Sequence, residues 1–217
     1  MIKLIHHPED ELLASYSAGS LLLSEALCVS THLEHCRLCL QNVQSMNLLG
    51  SELMTQLKPT QVSDQLKSHV MASLDNLIES EPVKTRQTDP SIPRSLRQFV
   101  DVDYQSLNWK RVSLDIQSCE LTRDSNGAKV ELLRIRPGGA ASTHTHIGNE
   151  YTVILEGSFS DEDGLYRQGD FIQRDATHSH TPVASKDREC ICLAVTEGPI
   201  QFTGWFGRVL NPILRRG

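Results

Sequence analysis

The hydrophobic period of this chain changes once along its length, and that change restricts it to folds with helices first and strands after. Val43, Met46, Leu49, Leu53 and Leu57 recur at intervals of three and four, and Val62, Leu66, Val70, Leu74 and Ile78 form a second such stripe. Each set falls on one face of an α-helix. Upstream, Pro8 followed by Glu9, Asp10 and Glu11 has the make-up of a helix N-terminus, with Leu12, Leu13 and Tyr16 as its apolar side and Gly19 as its stop. Ser24 stands where it can cap a second helix running toward Cys36, Pro59 closes the third, and Thr60 or Ser63 opens the fourth. The segment "ESEPVKTRQTDPSIPRSLR" then breaks the pattern with Pro82, Pro90 and Pro93. Beyond it lie short alternating or apolar runs such as "KVELLRIRPGG", "YTVILEGSF" and "ECICLAV", divided by Asn126-Gly127, Asp163-Gly164 and Gly169-Asp170. Short strands with regular turns predict an antiparallel sandwich or barrel. The expected fold class is α+β in two domains: a four-helix module over 1–80, a linker over 81–97 and an all-β barrel over 98–217.

Charge separates the two parts further. Of the formal −6, residues 1–85 supply −5 (5 Lys/Arg against 10 Asp/Glu) and the remainder −1 (16 against 17). A broad basic surface for direct nucleic-acid binding is therefore excluded. An acidic front suits a basic protein partner, such as one that itself binds nucleic acid. No run approaches the ~18 apolar residues of a membrane span. Leu21–Val29 is interrupted by Ser24 and Glu25, and the first residues lack a signal-peptide pattern, so the protein is expected in the cytoplasm with no membrane partner. In that reducing compartment the six Cys point to metal ligation or redox sensing rather than disulfides.

Two groups of residues have metal-ligand spacing. The first is His32-x3-Cys36-x2-Cys39, across the end of the second helix and the start of the third. Positions i, i+4 and i+7 share a helical face, and thiolate with imidazole is the donor set of tetrahedral zinc. A fourth ligand is required; His7 and His6 lie upstream, and His35 points away from the other three. A metal would also stabilise a helical module too small to bury much core. The second group reads Gly138-x5-His144-x-His146-x3-Glu150-x6-Gly157, then Gly169-x10-His180 with His178 beside it. Strand alternation sends His144 and His146 to one side, Glu150 adds an oxygen, and His180 completes a divalent transition-metal site, zinc or another ion. This spacing resembles the cupin fold, a small double-sheet barrel. Asp175 and Thr177 stand where a typical cupin has Pro and Gly, and His178 is a candidate outer or alternative ligand.

The combination of both groups resembles the ChrR family of zinc-dependent anti-sigma factors. The resemblance rests on "IHHPEDELLASYSAGSL" and "THLEHCRLC" in front, and on "PGGAASTHTHIGNEYTVILEGSFSDEDGLYRQGDF", "HTPVA" and "CICLAVTEGP" behind. It implies that His7, His32, Cys36 and Cys39 hold zinc and that His144, His146, Glu150 and His180 hold the cupin metal. It further implies a zinc-bound anti-sigma module that sequesters a group IV (extracytoplasmic-function, ECF) sigma factor. The cupin barrel would release that factor on singlet-oxygen or organic-peroxide stress. The stripes of the third and fourth helices would then serve both core and partner, most of their residues being core.

The rival expectation is a metal-dependent cupin enzyme, such as a dioxygenase or isomerase. It needs an acid, base or substrate-orienting group beside the metal, for which His178 and Tyr151 are the available residues. Cys190 and Cys192 alternate on one strand, share a face, and read as small buried hydrophobes or as an oxidisable pair.

Overall fold

The computed structural model describes residues 4–75, 89–198 and 200–202. Four helices come first: α1 (Asp10–Ser17), α2 (Leu23–Leu33), α3 (Arg37–Thr55) and α4 (Asp64–Asp75). Asp10 and Glu11 sit in the first turn of α1, where carboxylates oppose the helix dipole. Gly19 ends it at φ 68°, a left-handed conformation a side chain would resist. Ser24 is not the cap of α2. That helix begins one residue earlier, with Glu25 accepting from the Leu22 N–H at 3.1 Å. The Ser24 N–H instead donates to Asp124 Oδ2 at 3.0 Å, so a carboxylate from a distant turn closes the helix N-terminus. Ser63 opens α4, its hydroxyl accepting from Leu66 N at 3.2 Å.

Eleven strands follow among the described residues: β1 (Lys110–Arg111), β2 (Ile116–Arg123), β3 (Lys129–Ile135), β4 (His144–His146), β5 (Glu150–Glu156), β6 (Ser158–Ser160), β7 (Leu165–Arg167), β8 (Phe171–Arg174), β9 (Val183–Ala184), β10 (Cys190–Thr196) and β11 (Ile200–Phe202). A six-stranded antiparallel sheet runs β1-β2-β3-β10-β5-β8. A three-stranded sheet β7-β6-β9 and the pair β11-β4 complete the double-sheet architecture. The large sheet is covered on both faces. Tyr151, Val153 and Leu155 of β5 and Ile191, Leu193 and Val195 of β10 join the helices Leu13, Leu27, Cys28, Val29 and Leu33 in one core. The alternating residues Ile154, Cys190 and Cys192 join Phe159, Tyr166 and Ile172 in a second core inside the barrel. Sheets buried on both faces require unbroken apolar strands, and "YTVIL" and "CICLAV" are such strands.

The stretch expected as linker, 81–97, is shorter in packing terms than its composition indicates. Its first part lies outside the described residues, but Ile92 and Leu96 are buried in the helix-facing core. Glu34 at the end of α2 accepts from Arg94 N and Ser95 N, both at 2.9 Å, which fixes the short 3-10 turn Arg94–Leu96 there. Ile78 lies outside the described residues as well. The helical stripes depart from expectation in the other direction. Of the α3 set only Val43 is buried and Met46 half-buried, while Leu49, Leu53 and Leu57 are exposed, with Leu48 and Met54 beside them. Of the second stripe, Val62 just before α4 and Leu66, Val70 and Leu74 on it are all exposed. Val43 and Met46 pack in the core that also holds Leu13 and Tyr16 of α1, whereas the apolar residues farther along α3 are exposed among the described residues.

Candidate metal centres

The front cluster is assembled by three chain segments. His7 precedes α1, His32 closes α2, Cys36 is the N-cap of α3 in extended conformation, and Cys39 lies in the first turn of α3. His32, Cys36 and Cys39 therefore meet across a break between two helices rather than along one continuous face. The break is tight: the N–H groups of His35 and Cys36 both donate to His32 O at 2.9 Å. His7 Nδ1 lies 3.4 Å from both Cys36 Sγ and Cys39 Sγ, and His32 Nε2 lies 3.3 Å from Cys39 Sγ. Zinc bonds of 2.0–2.3 Å in a tetrahedron give ligand–ligand edges of roughly 3.3–3.8 Å, and these separations match. His32, Cys36 and Cys39 are buried and His7 half-buried. Among the upstream histidines, then, His7 joins the group. His6 turns its ring to Tyr166, with centroids 4.5 Å apart, and His35 lies over Gly169.

The electrostatics of the cluster match a cation as well. Burial pulls the His32 imidazole down to about 4, so it is neutral at physiological pH. Its Nδ1–H donates to Gly169 O at 2.7 Å, which fixes the tautomer and leaves the Nε2 lone pair facing the thiols. Burial pushes the Cys39 thiol up to about 12; a bound cation reverses that balance and deprotonates it. Gly169, at φ 91°, belongs to the turn between β7 and β8, so the strand region orients His32 of the helical region. Asp170 adds a second tie, its Oδ1 accepting from Ile5 N and His6 N, both at 3.3 Å. In the sequence Gly169-Asp170 marks a turn and the start of the motif that ends at His180; no local signal marks its contact with His32, 137 residues away.

The second cluster lies in the barrel. His144, Glu150 and His180 are buried, and their ligand atoms converge. His144 and His180 Nε2 are 3.2 Å apart, and His180 Nε2 is 3.7 Å from Glu150 Oε2. Both Nδ1 atoms face acceptors, Ser142 O at 2.8 Å for His144 and Asp161 Oδ2 at 3.3 Å for His180. Each Nε2 lone pair therefore points inward beside a carboxylate, a donor set suited to a divalent cation. Backbone bonds lock the two histidines together: His144 N donates to His180 O and His180 N to His144 O. His146 lies two residues along β4; its side chain is outside the described residues. His178 does not join the cluster. It is exposed, and Nδ1 lies 2.8 Å from Asp175 Oδ1. Asp175 itself organises that turn, accepting from Thr177 N and Thr177 Oγ1. These hydrogen bonds hold its carboxyl down to about 2, and the Asx turn does the work expected of the absent Pro and Gly.

Neither residue available to the enzyme reading stands beside the barrel cluster. Tyr151 points to the helix-facing core, where its hydroxyl donates to Glu25 at 3.4 Å. Cys190 and Cys192 are buried inside the barrel, and burial pushes the Cys190 thiol up to about 12, the condition of an inert, packed thiol.

Known proteins are similar to this chain along most of its length. The family model described as the ChrR cupin-like domain matches residues 97–201. The anti-sigma-E factor ChrR of Cereibacter sphaeroides is 33% identical over 210 residues, covering 97% of this chain and 98% of that protein. The crystal structure of Rhodobacter sphaeroides SigE in complex with the anti-sigma ChrR matches with a TM-score of 0.79 and 33% identity, over 89% of this chain and 100% of the matched chain. With a helical His/Cys cluster in front, a His/Glu cluster in the barrel behind, and end-to-end similarity to a curated relative, this chain belongs to the ChrR family.

Proposed function

We propose that this protein is an anti-sigma factor, a regulator rather than an enzyme, that sequesters an ECF-type sigma factor through its helical domain. The observation that carries this reading is the set of exposed apolar residues along α3 and α4, with α3 starting at the His7/His32/Cys36/Cys39 cluster. Zinc held by those four residues ties the N-terminus of α3 to α2 and to the chain before α1. The 19 residues of α3 extend about 28 Å from that anchor. Leu48, Leu49, Leu53 and Met54 on α3, with Leu66, Val70 and Met71 on α4, are each about half or more exposed. Exposed apolar residues repeated along amphipathic helices fit helix-in-groove binding. The occupant is a sigma factor because the similar ChrR chain is in complex with SigE, and because the acidic front complements a basic, DNA-contacting protein. Such a partner works in the cytoplasm.

The zinc is structural in this reading: it holds the binding helices in place, and the barrel is the sensing part. His144, His146, Glu150 and His180 hold a divalent cation there, and oxidative stress, as singlet oxygen or organic peroxide, acts through that site to end inhibition. The test is co-expression of the full chain with the ECF sigma factor encoded nearest its gene, followed by competition with RNA polymerase core. Inhibition of core binding by a stable complex supports the reading. Unimpeded sigma–core assembly at saturating concentrations of this chain overturns it.

A further inference from the structure

Hydrogen bonds run from His180 to Tyr166, and a ring contact with His6 and the turn between β7 and β8 lead on from there to the front cluster. The path begins at His180, whose Nδ1 lies 3.3 Å from Asp161 Oδ2. The Asp161 side chain is fully buried. Its Oδ1 accepts from Asp163 N and Gly164 N, and its Oδ2 also accepts from Arg174 Nη2 at 3.2 Å. Arg174 ends β8 directly opposite Glu150 in the sheet register. The same Nη2 donates to Tyr166 Oη at 2.6 Å and pairs with Asp163 at 2.8 Å. The Tyr166 ring lies against His6, the residue before His7. Arg174 and Tyr166 stand on the two strands that flank the turn carrying Gly169 and Asp170. The tip of that turn meets His32 through Gly169 O and the His6 backbone through Asp170, and Phe171 N donates to His6 O at 3.1 Å.

We infer that Asp161, Arg174 and Tyr166 are positioning residues that couple the barrel cluster to the front cluster through the β7–β8 connection. This rests on the reading of the barrel as the regulatory part. When His180 is held at Nε2 by a cation, its Nδ1–H stays on Asp161. Asp161 then holds Arg174, Arg174 holds Tyr166, and the turn keeps Gly169 O on His32. When the barrel ligands are disrupted, His180 turns, Arg174 loses an anchored acceptor, and the turn no longer orients His32 and the His6-His7 backbone. The front cluster then releases its metal more readily. Spatial continuity alone does not establish coupling; a coupling free energy does.

The experiment uses the full-length chain loaded with Co(II). Among the described residues the barrel cluster contains no cysteine, so thiolate–cobalt absorption reports the front cluster. Its loss is followed after addition of excess EDTA, in the parent chain and in Glu150→Gln, with His144→Ala as a second disruption of the barrel cluster. Each is then repeated in the Tyr166→Phe and Arg174→Lys backgrounds, which keep ring or charge but remove the linking hydroxyl or forked donor. Disruption of the barrel cluster should accelerate loss by about fivefold or more in the parent and by less than about twofold in either background. Equal acceleration in all backgrounds, or none in the parent, overturns the link. Sigma binding is measured on the same samples before EDTA. Binding by the loaded parent, with no difference in cobalt loss, removes the link and leaves the sigma reading standing. Absence of binding removes the sigma reading, and the cobalt rates still decide the link.

Discussion

Single side chains carry the front cluster, and their contributions are unequal. Cys36 and Cys39 stand at ligand spacing in the His/Cys cluster, and Cys36 Sγ also accepts from Cys39 N as the cap of α3. Cys36→Ser or His32→Ala should reduce bound zinc by about one per chain and abolish sigma capture, since an incomplete structural site loses most of its folding contribution. Elemental analysis and a pull-down on the same preparation check this; zinc-free protein that still captures sigma would show that the metal does not organise the binding helices. Asp124 acts at the other end of α2. Asp124→Ala should cost about 1 kcal/mol by loss of the cap to Ser24 N, and Asp124→Asn should recover most of it, as read by urea denaturation. Such contacts were not legible in the sequence. Ser24 has the right chemistry for a cap, but Asp124, 100 residues away, satisfies the helix terminus, and only the fold brings them together.

At the scale of elements, the apolar residues of the distal half of α3 and of α4 are exposed among the described residues. Leu53→Asp or Met71→Asp should leave zinc content unchanged and stability within about 0.5 kcal/mol of the parent, yet weaken sigma binding at least tenfold by placing a desolvated charge in the interface. Isothermal titration together with thermal denaturation separates the two effects. Loss of both stability and binding would instead assign these residues to the protein's own core. The helices themselves were readable from periodicity, since 3.6-residue spacing is local. Which stripes face the core was not, because the same spacing serves a core and a partner equally. The convergence of His144, Glu150 and His180 was legible for the complementary reason: alternation fixes the face of His144 on β4, and the spacing from Gly138 to Glu150 and from Gly169 to His180 fixes position. His178 shares that alternation, but Asp175 draws its ring outward, a competition that the pattern does not encode.

The whole molecule is more integrated than its sequence halves indicate. Proline and polar composition mark a boundary near residue 90, yet helices α1 and α2, the turn Arg94–Leu96 and the outer face of the large sheet share one core. The sign of this was present in strands β5 and β10, whose unbroken apolar runs need cover on both faces. Leu193 lies at the centre of that core with no exposure. Leu193→Ala should therefore destabilise by about 2–5 kcal/mol, and helical and sheet signals should shift together in one transition. A helical transition unaffected by the substitution would show that the two parts unfold independently. Integration also gives the regulatory reading its physical route, since a change in the barrel reaches α2 through the sheet face as well as through Gly169.

The most direct measurement is native mass spectrometry of the full-length chain co-expressed with its neighbouring ECF sigma factor, before and after stripping of the front-cluster metal. A 1:1 complex with zinc bound to the helical domain, which dissociates when that zinc is removed, is the expected result. A chain that stays free of sigma while retaining its zinc would contradict the assignment of this protein as a sigma-sequestering regulator.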